Sequence, residues 1–514
     1  MAAGILLSRA AGLVRQSVFA FFFGAGDAAD VFNAAFRIPN LLQNLFGEGA
    51  LSASLIPVYA RLRAQGDEEE AARVASVVGT LLALALSVLV LGGVLATPLL
   101  VDLIAPGFEG EKRAATIRLV QIFFPGAGLL VQSAWCLGIL NSHRRFFLSY
   151  AAPVVWSGSI VATLVLFGRG HAGYPLAEWA AWGSVAGSAL QFLVQLPTVL
   201  SVTAGRLRPS LAGKSVHVRQ VFRNFGPVAL SRGVVQISAY IDEVIATFLP
   251  SGAVAALAYA QVLYMLPVSL FGMSVSAAEL PEMSSAVGTD EEVGAALRAR
   301  LDRAAGQIAF FVVPSVMALV ALGEPIAALL FQRGRFGASD ARYVWTVLAG
   351  SAVGLLAATL GRLYSSTFYA LRDTRTPLRF AALRVALTSA LGYFFALPLP
   401  RLLGIQASWG TAGLTVSAGL AGWVEFALLR SALRRRIGKT GIPRGRLVRL
   451  GAAAAAGAAA AWALKLSLPS GGSPFLGSAA VLALFGLTYL GASAALGEAG
   501  AGALLSRLTG RPRR

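Results

Sequence analysis

The sequence predicts an all-α, polytopic membrane protein of about fourteen transmembrane helices, and three observations carry that prediction. The 514 residues are 56% hydrophobic and only 13% charged, where a soluble chain carries about 25% charged residues; mean hydropathy is +0.70. Apolar stretches of about 18 residues or more recur from end to end, each long enough to cross about 30 Å of hydrocarbon as a helix. The net charge of +19 is concentrated in alternate loops. With the N-terminus taken as cytoplasmic, the inner loops 61–73, 141–145, 204–223, 285–303, 371–379, 430–449 and the tail from Arg507 hold about 28 Lys and Arg, against about 7 outside. That distribution reads as topology and membrane-surface anchoring, and nucleic acid is not implied.

Span 1 (2–23) contains Arg9 and Arg15 and lacks a small-residue cleavage site, so it reads as a retained helix and not as a signal peptide. Span 2 (28–61) is the most polar: it carries Asp30, Asn33, Arg37, Asn40, Gln43, Asn44 and Glu48, with Pro39 in the middle. Spans 3 to 6 (74–103, 115–140, 146–168, 177–203) are apolar runs joined by short loops. Span 7 (221–249) brings Arg232, Asp242 and Glu243, which are expected to neutralise one another in part. Span 8 (252–284) has Glu279 and Glu282 near its inner end. Spans 9 to 12 (304–331, 339–370, 377–400, 405–430) include the isolated Arg362 and Arg384, and spans 13 and 14 (447–468, 475–506) close the chain. The basic stretch "RSALRRRIGKTGIPRGRLVR" between spans 12 and 13 reads as an anchor on anionic lipid.

A weak internal echo suggests duplication. "SRAAGLVRQ" in span 1 is matched by "SRGVVQ" in span 7, and "PNLLQNLFGEGALSASLIP" in span 2 by "PVSLFGMSVSAAELP" in span 8. The expected organisation is an N-terminal lobe (1–220, helices 1–6), a C-terminal lobe (221–440, helices 7–12) and two added helices with a basic tail (441–514). Transporters built from repeats place interrupted helices at corresponding positions around their site.

Asp30, Asn33 and Arg37 are spaced i, i+3, i+7, so they share one helical stripe. A charge at mid-bilayer costs several kcal/mol, so the stripe faces protein or a wet cavity. An Asp30–Arg37 salt bridge that merely holds helices together is the structural alternative. Pro39 removes a backbone hydrogen bond and kinks the helix; Gly47 and Gly49, around Glu48, loosen it again, as a lateral gate needs. Arg9 and Arg15, six residues apart, point roughly 120° from each other, and Arg9 has the option of reaching the inner headgroups. Arg9, Arg15 and Arg37 outnumber Asp30, and surplus cations in a membrane call for an anion. Arginine suits phosphate or diphosphate because its planar fork donates two parallel bonds and stays protonated. Asp242 is a weaker candidate for a coupling cation or proton.

The single Cys136 excludes an intramolecular disulfide and a cysteine metal cluster, and His143, His171 and His217 offer no ligand pair at helical spacing. No metal and no cofactor is expected. Walker, nucleophile-elbow and HExxH motifs are absent, so the chain reads as a transporter and not an enzyme.

In order along the chain, "SRAAGLVRQ", "FGAGDAADVFNAAFRIPNLLQNLFGEGALSASLIPVYA", "IAPGF", "GILNSHRRFFLSYAAPVVW", "LLFQRGRF" and "FYALRDTRTPLR" resemble motifs of the MurJ (MviN) lipid II flippases, over roughly residues 5–440. These belong to the multidrug/oligosaccharidyl-lipid/polysaccharide exporter superfamily. The resemblance implies fourteen helices, with two six-helix lobes in a V around a central cationic cavity and two added C-terminal helices. It implies movement of an undecaprenyl-diphosphate-linked glycan, lipid II, from the inner to the outer leaflet of the bacterial cytoplasmic membrane for peptidoglycan synthesis. Arg9 and Arg15 correspond to the family's helix 1 cavity arginines, Asp30 to its helix 2 acid, and Arg37 to the basic residue before Pro-Asn. Three charged positions of the family's pattern are Gln16, Gln43 and Val262 here.

The expected substrate-binding set is therefore Arg9, Arg15, Asp30, Asn33, Arg37, Asn40 and Glu48, with Pro39, Gly47 and Gly49 as gating residues. Alternating access would need an ion gradient, the membrane potential or the lipid gradient, so a coupling ion is a candidate partner. Membrane lipids and the cell-wall synthesis machinery are others. Two alternatives stand beside this expectation: export of another polyprenyl-diphosphate-linked glycan or a drug, and a non-transporting scaffold that recruits cell-wall enzymes through its basic loops. Excess arginine argues against a cationic drug, and a scaffold leaves the intramembrane polar stripe unexplained.

Overall fold

The computed structural model of the chain describes the backbone of residues 2–502 apart from 213–214, 286–287, 469–472 and 499, and the side chains of those residues other than 2–3, 48, 227–239 and 290. Every described element is helical. The chain forms two compact units, Met1–Ala255 and Ala256–Arg514.

The first unit contains α1 (Ala2–Phe23), α2 (Asp27–Phe46), α3 (Glu48–Ala64), α4 (Glu68–Leu95), α5 (Thr97–Ile104), α6 (Gly110–Ser142), α7 (Phe146–Ala151), α8 (Pro153–Phe167), α9 (Gly173–Val202) and α10 (Val216–Ala246). Its closing residues open α11 (Ala253–Pro267), which leads through a π-helical segment, Val268–Met273, into α12 (Ser274–Ser284). The second unit continues with α13 (Asp290–Phe331), α14 (Ala338–Ala370), α15 (Arg375–Ala396), α16 (Pro398–Leu402), α17 (Trp409–Ile437), α18 (Arg444–Ser467) and α19 (Pro474–Ala495).

Among the described residues, twelve helical stretches are long and apolar enough to cross a membrane. The stretches expected as the two further spans fold as α2–α3 and as α10, the latter 31 residues long. Their polarity, not their length, sets them apart: α2 carries Asp27, Asp30 and Arg37, and α10 carries Arg219, Arg223, Arg232, Asp242 and Glu243. The solvent implied by the rest is lipid. Val88, Leu95 and Leu99 on α4 and α5 are 71%, 74% and 76% exposed, an arrangement that a chain in water would not keep over so long an apolar face.

In the first unit, α3, α4, α6, α9 and α10 enclose a core that includes Leu55, Tyr59, Val78, Trp135, Ile139, Val199 and Val221. The Trp135 indole N–H donates to the Ala75 carbonyl at 3.1 Å, so its one polar atom is satisfied inside the core.

In the second unit, α14 and α17 cross so closely that a Cβ on Gly354 would sit 2.5 Å from the Gly419 Cα. Small residues permit such backbone approach between membrane helices. Helix α13 bends at Leu322, whose φ of −126° and ψ of 18° leave the helical region. Pro325 is the cause: it has no N–H to offer the Ala321 carbonyl, and the Trp462 indole of α18 donates to that carbonyl instead, at 2.9 Å. The turn before α15 is held by Asp373, which accepts from the Thr376 amide at 3.0 Å and the Thr376 hydroxyl at 2.7 Å. Those bonds, with Arg436 beside them, hold its carboxyl down at about 2.

Candidate functional site

Helix α1 ends at Gly24, whose φ of 60° is the left-handed conformation that glycine tolerates, and α2 starts three residues later. This tight return lays the two polar helices in one unit, but it does not gather their charges into one cluster. Arg9 is exposed, while Arg15 is half-buried, as their angular separation on the helix requires.

Arg15 lies in a half-open cavity of about 400 Å³ together with Gln16, Asn33, Phe36, Trp156 and Ile160. Its guanidinium sits 4.4 Å from the centre of the Trp156 ring, a cation–π arrangement. Trp156 is fixed in turn: its indole N–H donates to the Ser184 hydroxyl at 3.0 Å, and Phe36 stacks beside it at 5.8 Å. The Asn33 amide donates to the Ala29 carbonyl at 2.8 Å, which leaves its carbonyl oxygen for other partners. Among the described residues, no carboxylate pairs with Arg15.

Asp30 is directed elsewhere. It is 1% exposed and accepts two long-range backbone bonds: its Oδ2 takes the Gly252 amide and its Oδ1 the Ala255 amide, both at 2.8 Å. A carboxylate at a helix N-terminus satisfies amides that have no intrahelical partner, and here it closes the start of α11. Gly252 has φ of 88°, and a Cβ there would lie 2.2 Å from the Ala25 carbonyl oxygen, so this join needs glycine. The cation beside Asp30 is Lys112 of α6, at 2.8 Å, which also reaches Asp27 at 2.6 Å.

Arg37 pairs with Glu243 of α10 at 2.6 Å, the glutamate side chain being 5% exposed. The Tyr240 hydroxyl donates to the Arg37 carbonyl at 2.9 Å. The alternative of an Asp30–Arg37 bridge is thus not formed, because each residue has found a partner on another helix. Within span 7, Glu243 answers Arg37, while the Arg232 side chain, and with it the neutralisation expected there, lies outside the described residues. Arg384 is likewise not isolated, since Glu425 lies 3.1 Å away.

Span 2 breaks at Gly47, not at Pro39. Helix α2 runs on through the buried Pro39 and the half-buried Asn40 to Phe46. Gly47 then takes φ −80° and ψ −149°, and α3 restarts with Glu48, whose side chain lies outside the described residues. A Cβ on Gly47 would stand 2.2 Å from the Gln43 carbonyl oxygen. In the echoing segment the helix departs from α geometry at the matching Phe-Gly pair: Phe271 and Gly272 fall inside the π-helical Val268–Met273.

Sequence reasoning missed Lys112, which reads as an outer-loop charge, and Trp156, which reads as one more apolar residue of its span. The motif "YAAPVVW" contained Trp156, but nothing in it pointed the ring at Arg15.

Fold and site define a polytopic helical membrane protein with a cationic, aromatic-walled cavity in its first unit. A family model described as lipid II flippase MurJ matches residues 19–477. A lipid II flippase MurJ of Burkholderia cenocepacia is 32% identical over 437 residues, covering 84% of this chain and 82% of that protein. A solved lipid II flippase MurJ in an inward closed conformation superposes with a TM-score of 0.78 at 21% identity, over 96% of this chain and 98% of its own. An inward-facing multidrug resistance MATE family transporter of the MOP superfamily follows at 0.64 and 19% identity, over 83% of this chain and 96% of its own. The chain belongs to the lipid II flippase MurJ family.

Proposed function

We propose that this chain flips lipid II, the undecaprenyl-diphosphate-linked peptidoglycan precursor, from the inner to the outer leaflet of the bacterial cytoplasmic membrane. The observation that carries this reading is Arg15, a cation inside a membrane-embedded cavity with no carboxylate pairing with it among the described residues. An intramembrane charge costs several kcal/mol, and an anion that arrives with the substrate offsets that cost. A diphosphate fits the planar guanidinium fork, and Asn33 and Gln16 add neutral polar groups beside it. Membership of the family, whose members are named for lipid II, supports the identity of the cargo.

In this reading Arg9 meets the headgroup at the membrane surface and Arg15 with Asn33 holds it in the cavity. Arg37 joins when its pair with Glu243 opens, Asn40 continues the polar face of α2, and Glu48 is proposed from its place in the sequence alone. Asp30 secures α2 to the start of α11. The breaks at Gly47 and at Val268–Met273 let two corresponding helices bend, in line with lobes at 1–220 and 221–440, so that exposure of the cargo alternates between leaflets. Both termini lie in the cytoplasm, and an ion gradient, the membrane potential or the lipid gradient supplies the free energy.

Complementation of a conditional lipid II flippase mutant, with lipid II in the outer leaflet measured directly, tests the proposal. Restored outer-leaflet lipid II is the expected result. Normal membrane abundance without restoration would redirect the reading to another polyprenyl-diphosphate-linked glycan.

A further inference from the structure

The inner end of α17 carries a second cationic hollow, separate from the Arg15 cavity and unused by the proposed transport. It is open, with about 1010 Å³ of empty space, and is lined by Trp423, Phe426, Arg430, Arg434, Lys439 and Thr440. Trp423, Ala427, Arg430 and Arg434 are spaced i, i+4, i+7, i+11, so one stripe of one helix supplies an aromatic ring above and two guanidinium groups below. Leu420, one turn before Trp423, and Val424, beside it on an adjoining face, are apolar and 40% and 42% exposed.

Described carboxylates on α17 and on the helices and loops packed near it are engaged with other groups. Glu425 pairs with Arg384, Asp373 with Arg436, and Glu498 with Arg446 and Arg449. Asp302 accepts the Gly441 amide at 2.8 Å. Among the described residues no carboxylate pairs with Arg430, Arg434 or Lys439. The C-terminus of α17 offsets about half an elementary charge, which leaves most of three positive charges uncompensated.

The hollow is also preorganised. The Arg430 Nε donates to the Thr440 carbonyl at 3.1 Å, and the Thr440 hydroxyl is held by the buried Tyr364 at 3.0 Å. Gly441, at φ 138°, brings its backbone against the Arg430 guanidinium: a Cβ there would stand 2.7 Å from Nη2. The Trp423 indole N–H is spent on the Val353 carbonyl at 2.8 Å, so the ring is fixed and presents its faces.

We infer that this hollow binds the phosphodiester headgroup of an anionic phospholipid, with one acyl chain lying along Leu420, Trp423 and Val424. An exposed apolar patch around a ring midway along α17, with two arginines that no described carboxylate answers two and three turns further on, matches a molecule that is apolar above and anionic below. A free phosphate would leave the apolar patch without purpose. The lipid would tie the end of α17 to the membrane surface, whatever cargo the chain moves.

The test is native mass spectrometry of the full chain in detergent, titrated with phosphatidylglycerol or with phosphatidylcholine of the same acyl chains. Each basic residue near an anionic lipid is worth roughly a factor of five in affinity, so R430Q/R434Q/K439Q should weaken phosphatidylglycerol binding on the order of 100-fold. Phosphatidylcholine binding should not change, and R430K/R434K should recover part of the loss. Unchanged phosphatidylglycerol binding, or equal loss of both lipids, overturns the inference. So does full competition by millimolar glycerol phosphate, which would mean a free-phosphate site, or displacement by stoichiometric undecaprenyl diphosphate, which would mean a substrate subsite. If the triple variant does not fold, the wild-type chain decides. Raising salt from about 0.05 to 0.5 M shortens the screening length several-fold and should release phosphatidylglycerol selectively; retention at high salt overturns the inference. The readout is lipid retention and not transport, so its failure would leave the flippase proposal standing.

Discussion

Arg15 and Arg37 are chemically the same and lie in the same unit, yet their surroundings give them different work. Arg15 rests on the face of Trp156 with no carboxylate to answer it, whereas Arg37 is locked to a nearly buried glutamate at 2.6 Å. Arg15→Gln should therefore abolish lipid II transport while leaving membrane abundance near wild type. Arg15→Lys should restore only part, because an ammonium is a point charge without the guanidinium fork. Parallel immunoblots and outer-leaflet lipid II assays check this, and an equal fall in abundance and transport would assign Arg15 a structural role. Arg37 calls for a different experiment. Removing one partner of a buried pair strands the other, at a cost of about 3–5 kcal/mol. Arg37→Gln should accordingly lower the unfolding temperature in detergent, and R37Q/E243Q should recover much of the loss. If the double variant falls by the sum of the two singles, the pair is not coupled.

At the scale of the element, the broken second span is the feature with most mechanical content. Proline promised the kink, but α2 absorbs Pro39 and the break falls eight residues later, at a glycine whose conformation leaves no space for a methyl group. The π segment at Phe271–Gly272 places a second irregularity at the matching dipeptide, and such segments concentrate at functional positions. Gly47→Ala with Gly49→Ala gains about 1 kcal/mol of helix propensity per site, and at Gly47 it also makes the observed broken form too crowded to hold. We expect normal expression, slow transport and a changed reactivity of Asn44→Cys from the two sides of the membrane. Unchanged reactivity with unchanged transport would mean that the break is fixed architecture and that the gate lies elsewhere. Proline was readable because its effect on its own helix is local; the glycine break was less so, because what decides it is whether neighbouring helices hold the bent form.

For the whole molecule, the order of most helices was legible from apolar length, since hydrocarbon leaves the backbone no partner but itself, while α2–α3 and α10 stand apart by their charges. What remained hidden was which charge answers which. Asp30 finds Lys112 across 82 residues and the start of α11 across more than 200, and Glu243 finds Arg37 from α10. No helical period connects such positions, so the stripe in α2 announced that partners exist without naming them. Topology is the remaining property of the whole chain, and it rests on the loop charges. If the basic loops are cytoplasmic, His171→Cys in "GRGHAGYP" should react with a membrane-impermeant thiol reagent on intact cells, and Arg435→Cys in "RRRIGKTG" should react only after permeabilisation. Both sites are exposed, so access and not burial decides the result. Cys136 is buried, and replacing it with Ala removes the one native thiol that would blur the comparison. The reverse labelling pattern would invert the chain in the membrane, put the α17 hollow in the outer leaflet, and overturn the charge argument from which the orientation was drawn.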